Sequence, residues 1–384
     1  MELKPQFKEF LAGIRPTDPQ KENWRSSSST LRDRLKQDED LKGIIVSTFL
    51  QGSVRRSTAV RPLGDKRPDV DIVVVTAIDH KTESARDAMD RFVPFLDKWY
   101  KGKWRPQGRS FGIEMSLVDM DLVITALPSD QASRDYMSRL YRSPAVETLD
   151  TLEEVRNWRL NEDWRPSLPS AFGASLHVVE VADAPREQWQ PNPLWLPDRD
   201  VNGWGRTHPL AQIQWTAAKN RANDGNYVDL VRAMKWWRQT NSDDLPKYPK
   251  GYPLEHMIGH VLADGTSTVA QGLVQVFEAM RDHWAHHIAA YSKPRLADHG
   301  VPEHDVLKRL ELADFRAFHK AASNAAATAR DALGSGDAQA SAELWRELLG
   351  PRFPLLGPQG GDRTQSGFTT PAQAAVPTTT GRFA

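Results

Sequence analysis

The stretch from Leu50 to Thr76, LQGSVRRSTAVRPLGDKRPDVDIVVVT, limits the possible folds of this chain more than any other. Val70, Ile72, Val73, Val74 and Val75 favour a strand, yet Asp69 and Asp71 lie in the same run. Residues two apart on a strand point to one face, so the two carboxylates project side by side. Their like charges repel unless a cation lies between them. Ahead of them comes GIIVSTFL (43–50), which reads as a buried strand and leads into Gln51, Gly52 and Ser53. Glycine permits close backbone approach, and successive N–H groups at such a turn can cradle phosphate. Residues 54–68 hold four Arg, one Lys and two Pro, and read as a basic loop or short helix.

A third acid follows. IEMSLVDMDLVITAL (113–127) reads as another strand and carries Asp119 and Asp121, which share a face. Hard oxygen ligands select Mg²⁺ or Mn²⁺, and Mg²⁺ combines a few carboxylates with substrate phosphates. Two such ions about 4 Å apart activate an attacking hydroxyl and stabilise a pyrophosphate leaving group, which is what nucleotidyl transfer requires. Each piece alone has an ordinary reading: a turn, a solvated Asp-x-Asp, a single strand acid. The order is what carries weight: strand, Gly-Ser, basic loop, paired acids, third acid.

The rest of the chain divides by pattern. Leu31, Leu35 and Leu41 mark a Ser-capped amphipathic helix over 25–41, and Ala85, Met89, Phe92, Val93, Phe95 and Leu96 mark another over 82–100. Strands alternating with helices through residue 127 indicate an α/β or α+β first part. Residues 151–205 are rich in Trp, Pro and Asn and read only as loops and short elements. From Pro209 the pattern turns helical, in LAQIQWTAAKNRA and YVDLVRAMKWWRQ, then over 254–263, 268–291, 303–333 and 337–349. Residues 351–384, with six Thr and five Pro, read as a disordered tail.

Composition excludes several functions. Lys plus Arg equals Asp plus Glu at 50 each, so no global field attracts nucleic acid or an anionic membrane, and an anion site must be local. With no Cys in 384 residues, disulfides, thiolate metal sites and Cys nucleophiles are excluded. MELKPQFKEF lacks a signal peptide's apolar core and no apolar run reaches membrane-spanning length, so a soluble, cytoplasmic protein is expected. The 13 Trp offer core anchors or faces for stacking bases. His283, His286 and His287 sit on an expected helix without the Glu of H-E-x-x-H and read as a surface cluster. Neither a Walker lysine motif nor a dinucleotide fingerprint is present.

QGSVRRST, DVDIVVV and MDLVITA together resemble the polymerase-β-like nucleotidyltransferases. Within these they are similar to the bacterial cyclic-oligonucleotide synthases related to cyclic GMP–AMP synthase, the CD-NTases of antiphage signalling systems. The resemblance continues through LPDRDVNGWGRTHPLAQIQW, YVDLVRAMKWWRQ and GYPLEHMIGHVL and, with the ending TGRFA, points to clade D. It implies an α+β fold: a polymerase-β-like nucleotidyltransferase core (mixed sheet with helices, 1–205) packed on a mostly helical C-terminal half (206–350), with a flexible tail (351–384). It further implies a synthase using two Mg²⁺ ions, or Mn²⁺, to join ATP and GTP into a cyclic trinucleotide, cyclic AMP-AMP-GMP, that acts on a downstream effector.

Carried over by position, Gly52 and Ser53 match the phosphate-binding pair, Asp69 and Asp71 the metal-binding pair, and Asp121 the third acid. Lys235 matches a helical lysine that contacts the donor triphosphate, and Tyr252 an aromatic that stacks on a base. Family members often have Ser where Gly251 stands. Gln51, Arg56 and Arg109 are expected phosphate or ribose neighbours by position and charge. The resemblance also implies a ubiquitin-like-ligase partner of E1/E2 type that adenylates the C-terminal Ala384. A linear polymerase, a macromolecule nucleotidyltransferase and a non-enzymatic nucleotide-binding module remain the alternatives.

Overall fold

A computed structural model describes residues 1–142 and 193–357. Among these residues one mixed sheet and a helical assembly make an α+β fold, as expected. The sheet is built on β1 (Ile45–Gln51), β2 (Asp69–Thr76), β3 (Trp104–Pro106), β4 (Phe111–Glu114) and β5 (Asp119–Ala126), in the order β1-β2-β5-β4-β3. β1 and β2 are antiparallel and β2 and β5 parallel. A hairpin of β6 (Leu194–Asp198) and β7 (Gly203–Thr207) joins the open end of β5 through Ala126 and Trp195. This hairpin falls in a region where the sequence shows only short elements.

β2 is apolar almost throughout because both of its faces are covered. Val70, Ile72 and Val74 pack into one core with Trp24, Leu31, Leu35, Phe92 and Phe95. Val73 and Val75 pack on the other side with Phe49, Met137, Tyr141 and Ile213. Asp69 and Asp71 share the parity of Val73 and Val75, so they lie where that second face opens at the strand's N-terminal end.

Several expected elements begin or break elsewhere, each for a local reason. The first helix, α1, spans Lys4–Ile14; the next, α2, runs Asp18–Gln37 rather than 25–41. Its cap is Thr17, whose hydroxyl accepts from Gln20 N while Gln20 Oε1 accepts from Thr17 N, a capping box. After α3 (Gly52–Arg55), the helix expected over 82–100 is two, α4 (Ala85–Asp90) and α5 (Val93–Tyr100), with Pro94 in the first turn of the second. The strand expected over 113–127 is a hairpin, β4 and β5 turning where Met115 N donates to Val118 O.

After α6 (Gln131–Tyr141), the helical half comprises α7 (Pro209–Ala222), α8 (Asn226–Thr240), α9 (Tyr252–Val261), α10 (Val269–His283), α11 (Ala285–Ala289), α12 (Leu312–Gly334) and α13 (Ala338–Leu349). The expected single helix over 268–291 breaks at Trp284, and the one expected from 303 begins at Leu312. α8 is buried along most of its length, and its core includes Phe7, Phe10, Leu11 and Ile14 from α1. Phe353 is fully buried there, with its ring 5.0 Å from that of Phe7 and 5.7 Å from that of Phe10. The chain therefore stays packed past Pro351. The rest of the expected tail, with Ala384, lies outside the described residues.

Candidate active site

Strand register assembles the acids. Gln51 on β1 is directly opposite Asp71 on β2, and Asp71 is beside Asp121 on β5. Laterally paired residues share a face, so Gln51, Asp71 and Asp121 form a row across the sheet. Asp69 lies two residues along, paired with Asp119. Carboxylate oxygens of Asp69, Asp71 and Asp121 all lie within 4.8 Å of one another. Asp119 turns aside: Arg67 Nε is 2.8 Å from its Oδ1, and the same guanidinium reaches Glu114 at 3.7 Å.

The cluster is electrostatically strained in the way expected of an ion site. Burial, then the charges of Asp71, Asp121 and Asp119, pushes the Asp69 carboxyl up to about 8. Asp69 itself keeps surface exposure at the end of the strand. Burial, and then Asp71, brings Asp121 up to about 6. Asp71 is also raised by burial, against the pull of Arg56 and Lys235. Three carboxylates that resist ionising together are matched by a divalent cation, which favours the charged form of all three. This donor set, hard oxygen throughout, fits such a cation. Gln51 Oε1 adds a buried polar atom with no hydrogen-bond partner among the described residues.

Gly52 closes the site from the β1 side. It has φ +72°, and a Cβ there would lie 1.7 Å from Asp71 Oδ2. Only a residue without a side chain lets the Gly-Ser turn sit against the acid. Ser53 O accepts from Thr58 N at 2.8 Å and Ala59 N at 3.1 Å, which folds the basic segment back over the turn.

The remaining expected site residues fall into two groups. Lys235 on α8 donates to Thr58 O at 3.0 Å and to Glu255 Oε1 at 3.1 Å. Arg56 is buried and donates through Nε to Glu255 Oε2 at 3.0 Å, with its guanidinium 4.9 Å over the Tyr252 ring. Tyr252, at the start of α9, also meets the edge of His256 at 5.6 Å. Lys235 and Arg56 thus converge on Glu255, and Arg56 links them to Tyr252. Arg109 does not join them: its Nε donates to Asp198 Oδ2 at 2.7 Å, on the side of the β6–β7 hairpin. His283 lies exposed near His260, with ring centroids 5.4 Å apart, away from any acid cluster among the described residues.

Two site residues are absent from the sequence reading. Glu255 is 2% exposed, and burial would raise its pKa, but Arg56 and Lys235 outweigh this and hold it down to about 2. A lone acid in the apolar helix YPLEHMIGHV was its one available signal. Gln107 donates from Nε2 to Asp121 Oδ1 at 3.0 Å while its Oε1 accepts from Ser110. Nothing local in the sequence marks it.

Residues 1–139 match the Second Messenger Oligonucleotide or Dinucleotide Synthetase domain. Over 384 residues, all of both chains, the sequence is 59% identical to a cyclic AMP-AMP-GMP synthase from Enterobacter hormaechei subsp. hoffmannii (strain UCI 50). The chain belongs to the CD-NTase family of cyclic oligonucleotide synthases. The fold of this CD-NTase is similar to that of Bradyrhizobium diazoefficiens CdnG in complex with GTP, at 12% identity and a TM-score of 0.62 over 91% of this chain and 94% of that one. It is also similar to E. coli MS115-1 CdnC in its complex with HORMA-deltaN, at 15% identity and a TM-score of 0.61 over 91% and 98%. As a CD-NTase the protein is a nucleotidyltransferase that makes a cyclic oligonucleotide, with a carboxylate cluster able to hold metal. Among the described residues no helix is long and apolar enough to cross a membrane.

Proposed function

We propose that this CD-NTase joins ATP and GTP into cyclic AMP-AMP-GMP, as an antiphage second messenger, at the site where Asp69, Asp71 and Asp121 meet Gly52 and Ser53. The observation that carries the reading is the convergence of three carboxylates within 4.8 Å beside a glycine that touches one of them. The 59% identical relative bears the name of that product. The sheet with α2–α6, and the helical half from Pro209 to Leu349 with α1, form the two walls of the nucleotide cleft, a reading supported by the hydrogen bonds that Arg56 donates to Glu255 and Lys235 donates to Thr58 O.

Asp69, Asp71 and Asp121 would hold magnesium, which supplies Lewis-acid activation of the acceptor 3′-hydroxyl and charge stabilisation at the leaving pyrophosphate. Gly52 and Ser53 present backbone N–H groups to the donor phosphates. Lys235 adds a positive charge beside that turn. Gln107 holds Asp121 in one orientation through its amide. Tyr252 offers its ring to a base, with the guanidinium of Arg56 against the same ring system. Gln51, opposite Asp71 on β1, is a further polar neighbour of the acids, whereas Arg109 is held by Asp198 away from them.

Incubation of the purified protein with labelled ATP and GTP in magnesium tests the proposal. A phosphatase-resistant product that co-migrates with cyclic AMP-AMP-GMP is expected. A phosphatase-sensitive linear product, or labelled protein, would overturn it. The tail belongs to a second step of the same proposal, in which an E1/E2-type partner joins the Ala384 carboxylate to the AMP of ATP with release of pyrophosphate, and a partner cysteine thiol then displaces AMP to form a thioester. Support for that step is the resemblance to the family and the Pro- and Thr-rich composition of residues 351–384. Loss of covalent conjugates on deletion of Arg382 to Ala384, with synthase activity retained, is the expected outcome.

A further inference from the structure

Glu255 touches neither the acid cluster nor the Gly-Ser turn, yet two cations near both depend on it. Its side chain is 3% exposed, and its oxygens accept from Arg56 Nε at 3.0 Å, from a second Arg56 nitrogen at 3.4 Å and from Lys235 Nζ at 3.1 Å. Tyr227, on α8, anchors the same turn of α9 by donating from its hydroxyl to Glu255 O at 3.0 Å. Lys235 reaches α9 from α8, and Arg56 reaches it from the segment after the Gly-Ser turn, 199 residues away in sequence.

We propose that Glu255 is a positioning residue for the donor nucleotide, acting through Lys235. An ammonium has three N–H donors. Two are taken by Glu255 Oε1 and Thr58 O, which fixes the nitrogen beside the Gly-Ser turn and leaves one donor for a phosphate oxygen. The rotamer freedom of a long side chain is then lost on folding rather than on substrate binding, which favours affinity. Glu255 also balances charge. With it, Arg56, Lys235 and Glu255 sum to one positive charge beside Asp71; without it two positive charges face Asp71 and neither keeps its carboxylate hydrogen-bond partner. The inference rests on the proposed role of Lys235 as a triphosphate ligand.

A double-mutant cycle on the full-length enzyme separates the possibilities, with KM for ATP, kcat and Tm measured for each variant. Glu255→Gln keeps the shape and one acceptor but removes the charge. It should raise KM for ATP about tenfold, the size of one charge-assisted hydrogen bond, with kcat changed little. Lys235→Met should raise KM by at least as much. Adding Glu255→Gln to Lys235→Met should raise KM no further. Glu255→Asp retains the charge at shorter reach and should recover part of the loss, which keeps the test intact if Glu255→Gln folds poorly. A lowered Tm with unchanged KM, or an equal effect of Glu255→Gln in both backgrounds, would overturn the proposal. An unchanged KM in Lys235→Met alone would instead remove Lys235 from the phosphate site, and the inference with it.

Discussion

Gly52 and Asp71 are packed so closely that a methyl group on Gly52 would fall 1.7 Å from Asp71 Oδ2. Gly52→Ala must therefore displace the acid or the turn, and it also places a side chain at φ +72°. Loss of product formation is expected, together with loss of the Tm rise expected of the wild type in Mn²⁺. The strain at positive φ alone amounts to about 1–2 kcal/mol. Normal turnover by Gly52→Ala would show that the turn does not need to touch the acid.

The acid cluster sets a pH dependence of opposite sign for the apo and metal-bound protein. Asp69, near 8, and Asp121, near 6, sit above the ordinary carboxylate value near 4. The folded state holds these protons more tightly than the unfolded state, so their contribution is favourable at low pH and is lost as pH rises from about 4 through 8. Divalent binding must displace the same protons, so affinity should rise from pH 6 to pH 8. Thermal unfolding in EDTA and in Mn²⁺ at the two pH values tests both signs. Asp69→Asn should flatten the metal response and hold or raise apo stability; a metal response of equal size at pH 6 and pH 8 would contradict the assignment.

Asp121 and Asp119 should differ sharply. Asp121→Asn removes a member of the cluster and should reduce turnover by at least about 100-fold, the order seen when a group acting on the reacting atoms is removed. Asp119→Asn disturbs an ion pair with Arg67 that is more than one-third exposed, and its effect on turnover should be small. Gln107→Ala removes the hydrogen bond that lowers the Asp121 pKa and should shift the pH–rate profile upward. Steady-state rates across pH measure all three.

His299 lies 3.9 Å from Trp215 and 4.0 Å from His256, the neighbour of Tyr252, with near-parallel rings. Burial, then neighbouring His260, holds His256 down to about 4; burial, then His256, lowers His299 too. The unfolded chain binds protons below about 6.5 that these rings refuse when folded, so stability should fall as pH drops from 6.5 towards 4. His299→Phe keeps a stacking ring without a titrating group. Its Tm should fall less than that of the wild type between pH 7 and pH 5, and an equal fall would exclude the stack as the cause.

What the sequence determined by itself is local. Strand parity alone puts Asp69 and Asp71 on one face, and the apolar run from Val70 to Val75 places them in a covered strand, because both follow from backbone geometry within a few residues. The Gly-Ser turn was legible for the same reason, and so were α7, α8 and α13 from their periodicity. Thr17 and Gln20 were equally local, but the Ser run at 26–29 gave a stronger cap signal further along.

Tertiary structure decided what depends on partners far away in the chain. Asp119 and Asp121 share a face, and Arg67, brought across from before β2, draws one of them aside. Glu255 is an ordinary helix acid until Arg56 and Lys235 are folded onto it. Gly251 has φ +60° and ψ −136°, a conformation for which glycine is suited and Ser is not, so its departure from the family pattern is a backbone property. The N-terminal α1 and Phe353 lie in one core because each needs apolar cover that neither segment supplies alone. Long-range burial and charge pairing have no periodic signature, and only the folded chain brings those residues together.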